Sequence, residues 1–117
     1  IIVDGCHSDE STKNLARYLK KFKEPIYAIW GSLKNKNPDQ LIKNFKKVFK
    51  KVVTVKIPDE PNAMTSFELS KIAEKNNIQS IQSKNLKDAL KKITTNEKKI
   101  IVIFGSLYLV GSALSVN

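Results

Sequence analysis

At 117 residues, with 41% hydrophobic and 27% charged residues, the chain is long enough to bury one core and too short for two; no apolar run nears the roughly 20 residues that span a bilayer. One cysteine excludes an internal disulfide framework and a cysteine-rich zinc site, in keeping with a reducing, cytoplasmic setting. The formal charge of +10 raises nucleic-acid binding, but Arg17 is the one arginine among 21 basic residues, whereas base-edge and bidentate phosphate recognition favour arginine.

Ile1-Ile2-Val3 opens the chain as a β-branched run suited to a strand covered on both faces. The start inside a strand motif, with no signal-peptide pattern, reads as a fragment of a longer chain. Asp4-Gly5-Cys6-His7 turns the chain, and Ser8 is placed to cap a helix with Asp9 and Glu10 in its first turn. Leu15, Tyr18, Leu19 and Phe22 continue it as a stripe, so a helix is expected from about Asp9 to Phe22. Pro25 resets the chain before a second strand, Ile26 to Trp30, and the loop Gly31 to Asn37. Asn37 is the expected cap of a helix beginning at Pro38, with Leu41, Ile42, Phe45, Val48 and Phe49 as its apolar stripe. Lys43, Lys46, Lys47 and Lys50 fall opposite that stripe. The lysines thus read as scattered along solvated helix faces.

Val52 to Val55 is a third strand, and two prolines make Pro58 to Ala63 a loop. Thr65 with Glu68 forms a capping box for a helix whose inner face includes Leu69, Ile72 and Ala73. A weak, edge-like strand is expected around Ile78 to Ile81, then a helix marked by Leu86, Ala89, Leu90 and Ile93. Ile100 to Phe104 is the strongest strand, joined by Gly105-Ser106 to an apolar segment, Leu107 to Val116. The sum is an α/β, Rossmann-like three-layer domain spanning 1–117, with a mainly parallel sheet of about five or six strands and helices on both faces. Asp4, Gly31, Pro58 and Gly105 each follow a strand, so they should line one rim, where helix N-termini favour anions. No glycine-rich nucleotide loop is present, neither GxGxxG nor GxxxxGK[ST].

Three stretches carry a resemblance. Asp4-Gly5-Cys6-His7-Ser8 is similar to a DGAHN motif, Gly31 to Asn37 to a GxLxDKD loop, and Gly105-Ser106-Leu107-Tyr108-Leu109-Val110-Gly111 reproduces a GSLYLVG motif. Together they resemble the C-terminal domain of bacterial folylpolyglutamate synthase/dihydrofolate synthase, in the Mur ligase superfamily. The resemblance implies an ATP-dependent ligase that adds L-glutamate to folate or dihydropteroate through an acyl phosphate. It further implies a monomer acting in folate biosynthesis and one-carbon metabolism, with no nucleic-acid or membrane partner. An N-terminal domain outside this chain would carry the phosphate-binding loop, Mg2+ and most folate contacts, so no catalytic or metal-binding residue is expected here. Carried over by position, Asp4 would accept hydrogen bonds from ATP, His7 would lie beside the nucleotide or glutamate, and Ser106 and Lys36 would support the same cleft.

The departures are Ser8 for asparagine, Asp9 for proline, Asn35 and Asn37 for aspartates, and Asn62 where an arginine is common. Asp9 and Glu10 make the turn less welcoming to phosphate. Plain structural uses stand beside the ligand roles: Asp4 can brace the turn, His7 can bond the loop, and Cys6 can pack in place of alanine. Trp30 and Tyr108 read as core or domain-interface residues. A peptidoglycan-precursor ligase and a non-catalytic binding module remain as alternatives.

Overall fold

The computed structural model describes residues 2–4, 8–93 and 97–105. Five strands, β1 (Ile2–Asp4), β2 (Ile26–Trp30), β3 (Lys51–Thr54), β4 (Ser80–Gln82) and β5 (Ile100–Phe104), alternate with four helices. The helices are α1 (Asp9–Leu19), α2 (Pro38–Lys43), α3 (Ser66–Lys75) and α4 (Leu86–Ile93). The sheet has the order β1-β5-β2-β3-β4, and every pair in it is parallel. The last strand is therefore inserted between the first two. Its sequence, Ile-Ile-Val-Ile-Phe, suits that place: a strand flanked by partners and covered on both faces is apolar at every position. The weak β4 sits at an edge, as its mixed sequence requires.

Alternation along the strands divides the interior into two cores. Ala28, Trp30, Val52, Val102 and Phe104 face α1, α2 and α3 with Leu15, Leu19, Ile42, Leu69 and Ala73. Ile29, Val53, Val55, Ile101 and Ile103 face the other way, against Leu86, Ala89 and Ile93 of α4 and the loop residues Leu33, Ile57 and Ala63. Helices thus cover both faces. Aromatic stacking tightens the first core, with Trp30 and Phe104 rings 6.1 Å apart and nearly parallel, and Phe45 tilted onto Phe104 at 5.0 Å.

Four local expectations need correction. α1 ends at Leu19 rather than Phe22, because Lys21 and Phe22 bond back three residues, to Tyr18 and Leu19, and tighten the last turn. α2 stops at Lys43 for the same reason: Asn44, Phe45 and Lys46 bond to Leu41, Ile42 and Lys43, and Lys47 then takes a left-handed φ of 66°. The stripe survives that break, since Phe45 and Phe49 are still buried. Asn37 does not cap α2 through its side chain. Its φ of 48° is left-handed, a conformation asparagine tolerates, and Pro38 supplies the first helical residue. Finally, Lys43, Lys46, Lys47 and Lys50 are exposed as expected, but the lysines are unevenly placed. The stretches 20–25, 44–51 and 97–99 hold nine lysines against two glutamates, and each stretch leads into β2, β3 or β5 at one end of the sheet.

Candidate functional site

Parallel pairing puts the C-terminal ends of all five strands on one rim, and the register makes that rim level. Asp4 pairs with Phe104, Phe104 with Trp30, Trp30 with Thr54, and Thr54 with Gln82. The expected gathering of Asp4, Gly31, Pro58 and Gly105 therefore holds, since each lies at or beyond that row. Gly105 has φ 124°, and a Cβ built there would fall on the Gly31 carbonyl oxygen and lie 2.9 Å from its carbon and 3.1 Å from Trp30 Cδ1. No other residue type fits such a backbone-on-backbone contact without displacement. The Gly31 N–H also donates to the Phe104 carbonyl at 3.4 Å. Thus the loop after β2 and the turn after β5 are joined at their first residues.

The loop after β2 is clamped in turn to the loop after β3. The Lys34 N–H donates to Asn62 O at 2.8 Å, and the Met64 N–H to Ser32 O at 2.9 Å, with an antiparallel bridge between Leu33 and Ala63. Ser32 is buried and its hydroxyl donates to Leu33 O at 3.1 Å. Lys36 is half-buried in this clamped loop, and Asn35, Asn37 and Asn62 are exposed. Asn62 thus has a backbone task that any residue could perform. Beyond it, Thr65 and Glu68 make the expected capping box on α3, with Glu68 N donating to Thr65 Oγ1 at 3.1 Å and Thr65 N to Glu68 Oε1 at 2.9 Å. Those bonds from Thr65, with smaller help from Lys34 and Lys56, hold the Glu68 carboxyl below its ordinary value. Buried Thr54 ties β3 to the same helix, its hydroxyl donating to Ser66 O at 2.7 Å. At the far end of the rim a cleft of about 480 Å3 is lined by Ser66, Gln82, Ser83, Lys84, Asp88 and Lys92.

At the near end, Ser8 caps α1 as expected, but the box closes on Ser11 rather than on a glutamate: Ser11 N donates to Ser8 Oγ at 3.2 Å and Ser8 N to Ser11 Oγ at 3.3 Å. Asp9 is engaged sideways. Asn44 Nδ2 donates to its carboxylate at 3.0 Å and to buried Thr12 Oγ1 at 2.7 Å, and Lys13 Nζ lies 3.0 Å from the other oxygen. These partners, Asn44 first and Lys13 second, lower the Asp9 pKa. Sequence pattern had no way to find Asn44, which sits beyond the end of α2 and acts across 35 residues.

The Asp9 shift has a sign that can be checked. A carboxyl whose folded pKa is depressed contributes stability that is present above its unfolded pKa and lost as pH falls through the folded value. Melting temperature should therefore drop as pH is lowered below about 4, where ordinary Asp carboxyls protonate. Asn44→Ala should raise the Asp9 midpoint toward the ordinary value, read from side-chain carboxyl shifts by NMR. An unchanged midpoint would mean that Lys13 and Gln40 set it without Asn44.

Of the residues that the resemblance puts at the ligand, Asp4 ends β1 on the rim and Lys36 stands in the clamped loop. His7, Ser106 and the rest of the third motif lie outside the described residues. Among the described residues no helix is long and apolar enough to cross a membrane.

The family model for the dihydrofolate synthetase C-terminal domain matches residues 1–116. The chain belongs to that family. Solved structures carry the same fold. Mycobacterium tuberculosis folylpolyglutamate synthase complexed with ADP superposes with a TM-score of 0.88 at 23% identity, over 97% of this chain and 29% of that one. Thermotoga maritima folylpolyglutamate synthase gives 0.78 at 26% identity, over 96% and 26%, and E. coli FolC in complex with DHPP and ADP gives 0.83 at 17%, over 97% and 28%. No curated protein matches by sequence. The domain thus spans less than a third of the length of these structures.

Proposed function

We propose that this domain is the C-terminal lobe of an ATP-dependent ligase that adds L-glutamate to folate, and to dihydropteroate where the enzyme is bifunctional. The observation that carries the reading is the junction of Gly105 with Gly31 on the rim that also holds Asp4. It gathers the starts of the second and third motifs beside the strand that leads into the first, as a shared ligand requires. Relatives solved with ADP, or with AMPPNP and a manganese ion, are consistent with a nucleotide at such a rim.

In the proposed reaction the γ-phosphoryl group of ATP passes to the pteroate or γ-glutamyl carboxylate, releasing ADP. The glutamate amine then attacks the acyl phosphate; the amide C–N bond forms, phosphate leaves and the amine gives up a proton. Mg2+ would offset charge on the phosphates, held by the N-terminal domain rather than by residues of this chain. Asp4 would accept hydrogen bonds from the ribose hydroxyls, His7 would lie beside the nucleotide or glutamate, Ser106 would back the same cleft, and Lys36 would place a cation near the anionic ligands. All four act by binding and orientation, and the lobe completes the site when it closes.

The experiment is ADP release by the full-length protein with and without glutamate and folate. Release that needs both substrates is expected, with none from the 117-residue chain alone. Substrate-independent release by the complete protein, or ligation by this chain, would overturn the proposal.

A further inference from the structure

The rim opposite the candidate site carries most of the charge. Nine lysines and two glutamates in the stretches 20–25, 44–51 and 97–99 give a net charge of +7 there, out of +10 for the whole chain. Backbone bonds draw the stretches together: Lys50 N–H donates to Ile26 O at 2.8 Å and Ile100 N–H to Pro25 O at 2.9 Å. They lead into β5, β2 and β3, which are neighbours in the sheet, so the cluster spans about 10 Å across strands spaced about 4.8 Å apart.

Like charges held so close repel one another, which costs stability unless a partner of opposite sign is met.

A cavity of about 440 Å3 opens between the first two of these stretches. Its walls are apolar in part, from Leu19, Phe22, Pro25, Ile26, Val48 and Phe49, and charged in part, from Lys20, Lys47 and Lys50 with Glu24 as the one acid. Those three lysines are exposed. Lys47, at φ 66°, is in a conformation that a lysine rarely adopts. A non-glycine residue held so beside a cavity is an observation from which function can be argued.

We infer that this rim is a docking surface for an acidic segment of a partner protein, one apolar side chain of which enters the cavity while flanking carboxylates meet the lysines. The volume suits one or two apolar side chains. Charge complementarity fixes the sign of the partner, and the apolar walls require more than a bare polyanion. A nucleic acid fits less well. Arginine is absent from all three stretches, and the exposed aromatic nearby, Tyr18, already has Phe22 in a T-shaped contact at 5.3 Å and Lys21 over its ring at 6.0 Å.

The test uses the 117-residue chain and a fluorescein-labelled nonapeptide of four glutamates, one leucine and four glutamates, read by anisotropy at low ionic strength. Saturable binding is expected, with amide NMR shifts centred on Leu19, Phe22 and Val48. Lys47→Glu with Lys50→Glu should weaken it about tenfold or more, and Lys71→Glu with Lys87→Glu, the same charge change elsewhere, less than about threefold. Replacing the peptide leucine by glycine should cost about tenfold, the scale expected for burying one leucine side chain. Melting curves check each variant. Where the first pair fails to fold, Lys20→Glu on the cavity wall with Lys23→Glu in the same stretch should give the same loss. Three results would each overturn the inference: equal binding of the glycine peptide, equal loss from the control pair, or tighter binding of a single-stranded oligothymidylate of matched charge. None of these depends on ligase activity.

Discussion

Gly105→Ala should destabilise the domain by about 3 kcal/mol or more, a loss of roughly 12 °C or more in melting temperature for a chain of this size. Two costs combine. A φ of 124° is open to glycine and strained for alanine. The added Cβ would also press on the Gly31 carbonyl, a backbone group with no rotamer to change. Relief would require the β5 and β2 ends to part, and that movement would also disturb the contact of Trp30 with Phe104. Thermal unfolding followed by circular dichroism decides the matter. A melting temperature within about 3 °C of wild type, less than about one kcal/mol by the same scaling, would mean that the junction has slack and does not position the motifs.

Asp4→Ala in the full-length protein should lower ligation by about one to two orders of magnitude while the melting curve stays close to wild type. The backbone of Asp4 pairs with Phe104 in the sheet, a pairing that alanine can also make. The proposed loss is a charge-assisted hydrogen bond to the nucleotide, about 1.5–3 kcal/mol, at about 1.36 kcal/mol per tenfold in rate. His7→Ala is expected to behave in the same way. The assay is glutamate-dependent ADP release across a range of ATP concentrations. Activity near wild type would leave Asp4 a brace for the turn and remove it from the site.

Much of this was legible in the sequence. The order of strands and helices, the caps at Ser8 and Thr65, the edge character of β4 and the strength of β5 all follow from local patterns, because burial and capping repeat at the period of the element that carries them. One rim for Asp4, Gly31, Pro58 and Gly105 follows too, since strands that alternate with helices run parallel. Other features needed distant residues to meet. Whether β5 pairs with β1, β2 or both is a matter of tertiary contact, and with it the need for glycine at position 105, which exists only because Gly31 lies against it. The early end of α2 has the same origin. Phe45 bonds back three residues to Ile42 where the helix ends, Phe45 and Phe49 both reach Phe104 and the first core, and that packing outweighs a continuous helix.

Charge shows the division most plainly. The sequence by itself determined that the domain carries +10 and that lysine supplies nearly all of its cations. Read one helix at a time, those lysines were a solvated surface. Only the tertiary structure, by bringing the lead-ins to three neighbouring strands to one end, decided that nine of them share that end and that three, Lys20, Lys47 and Lys50, border one cavity. Electrostatic potential adds through space rather than along the chain.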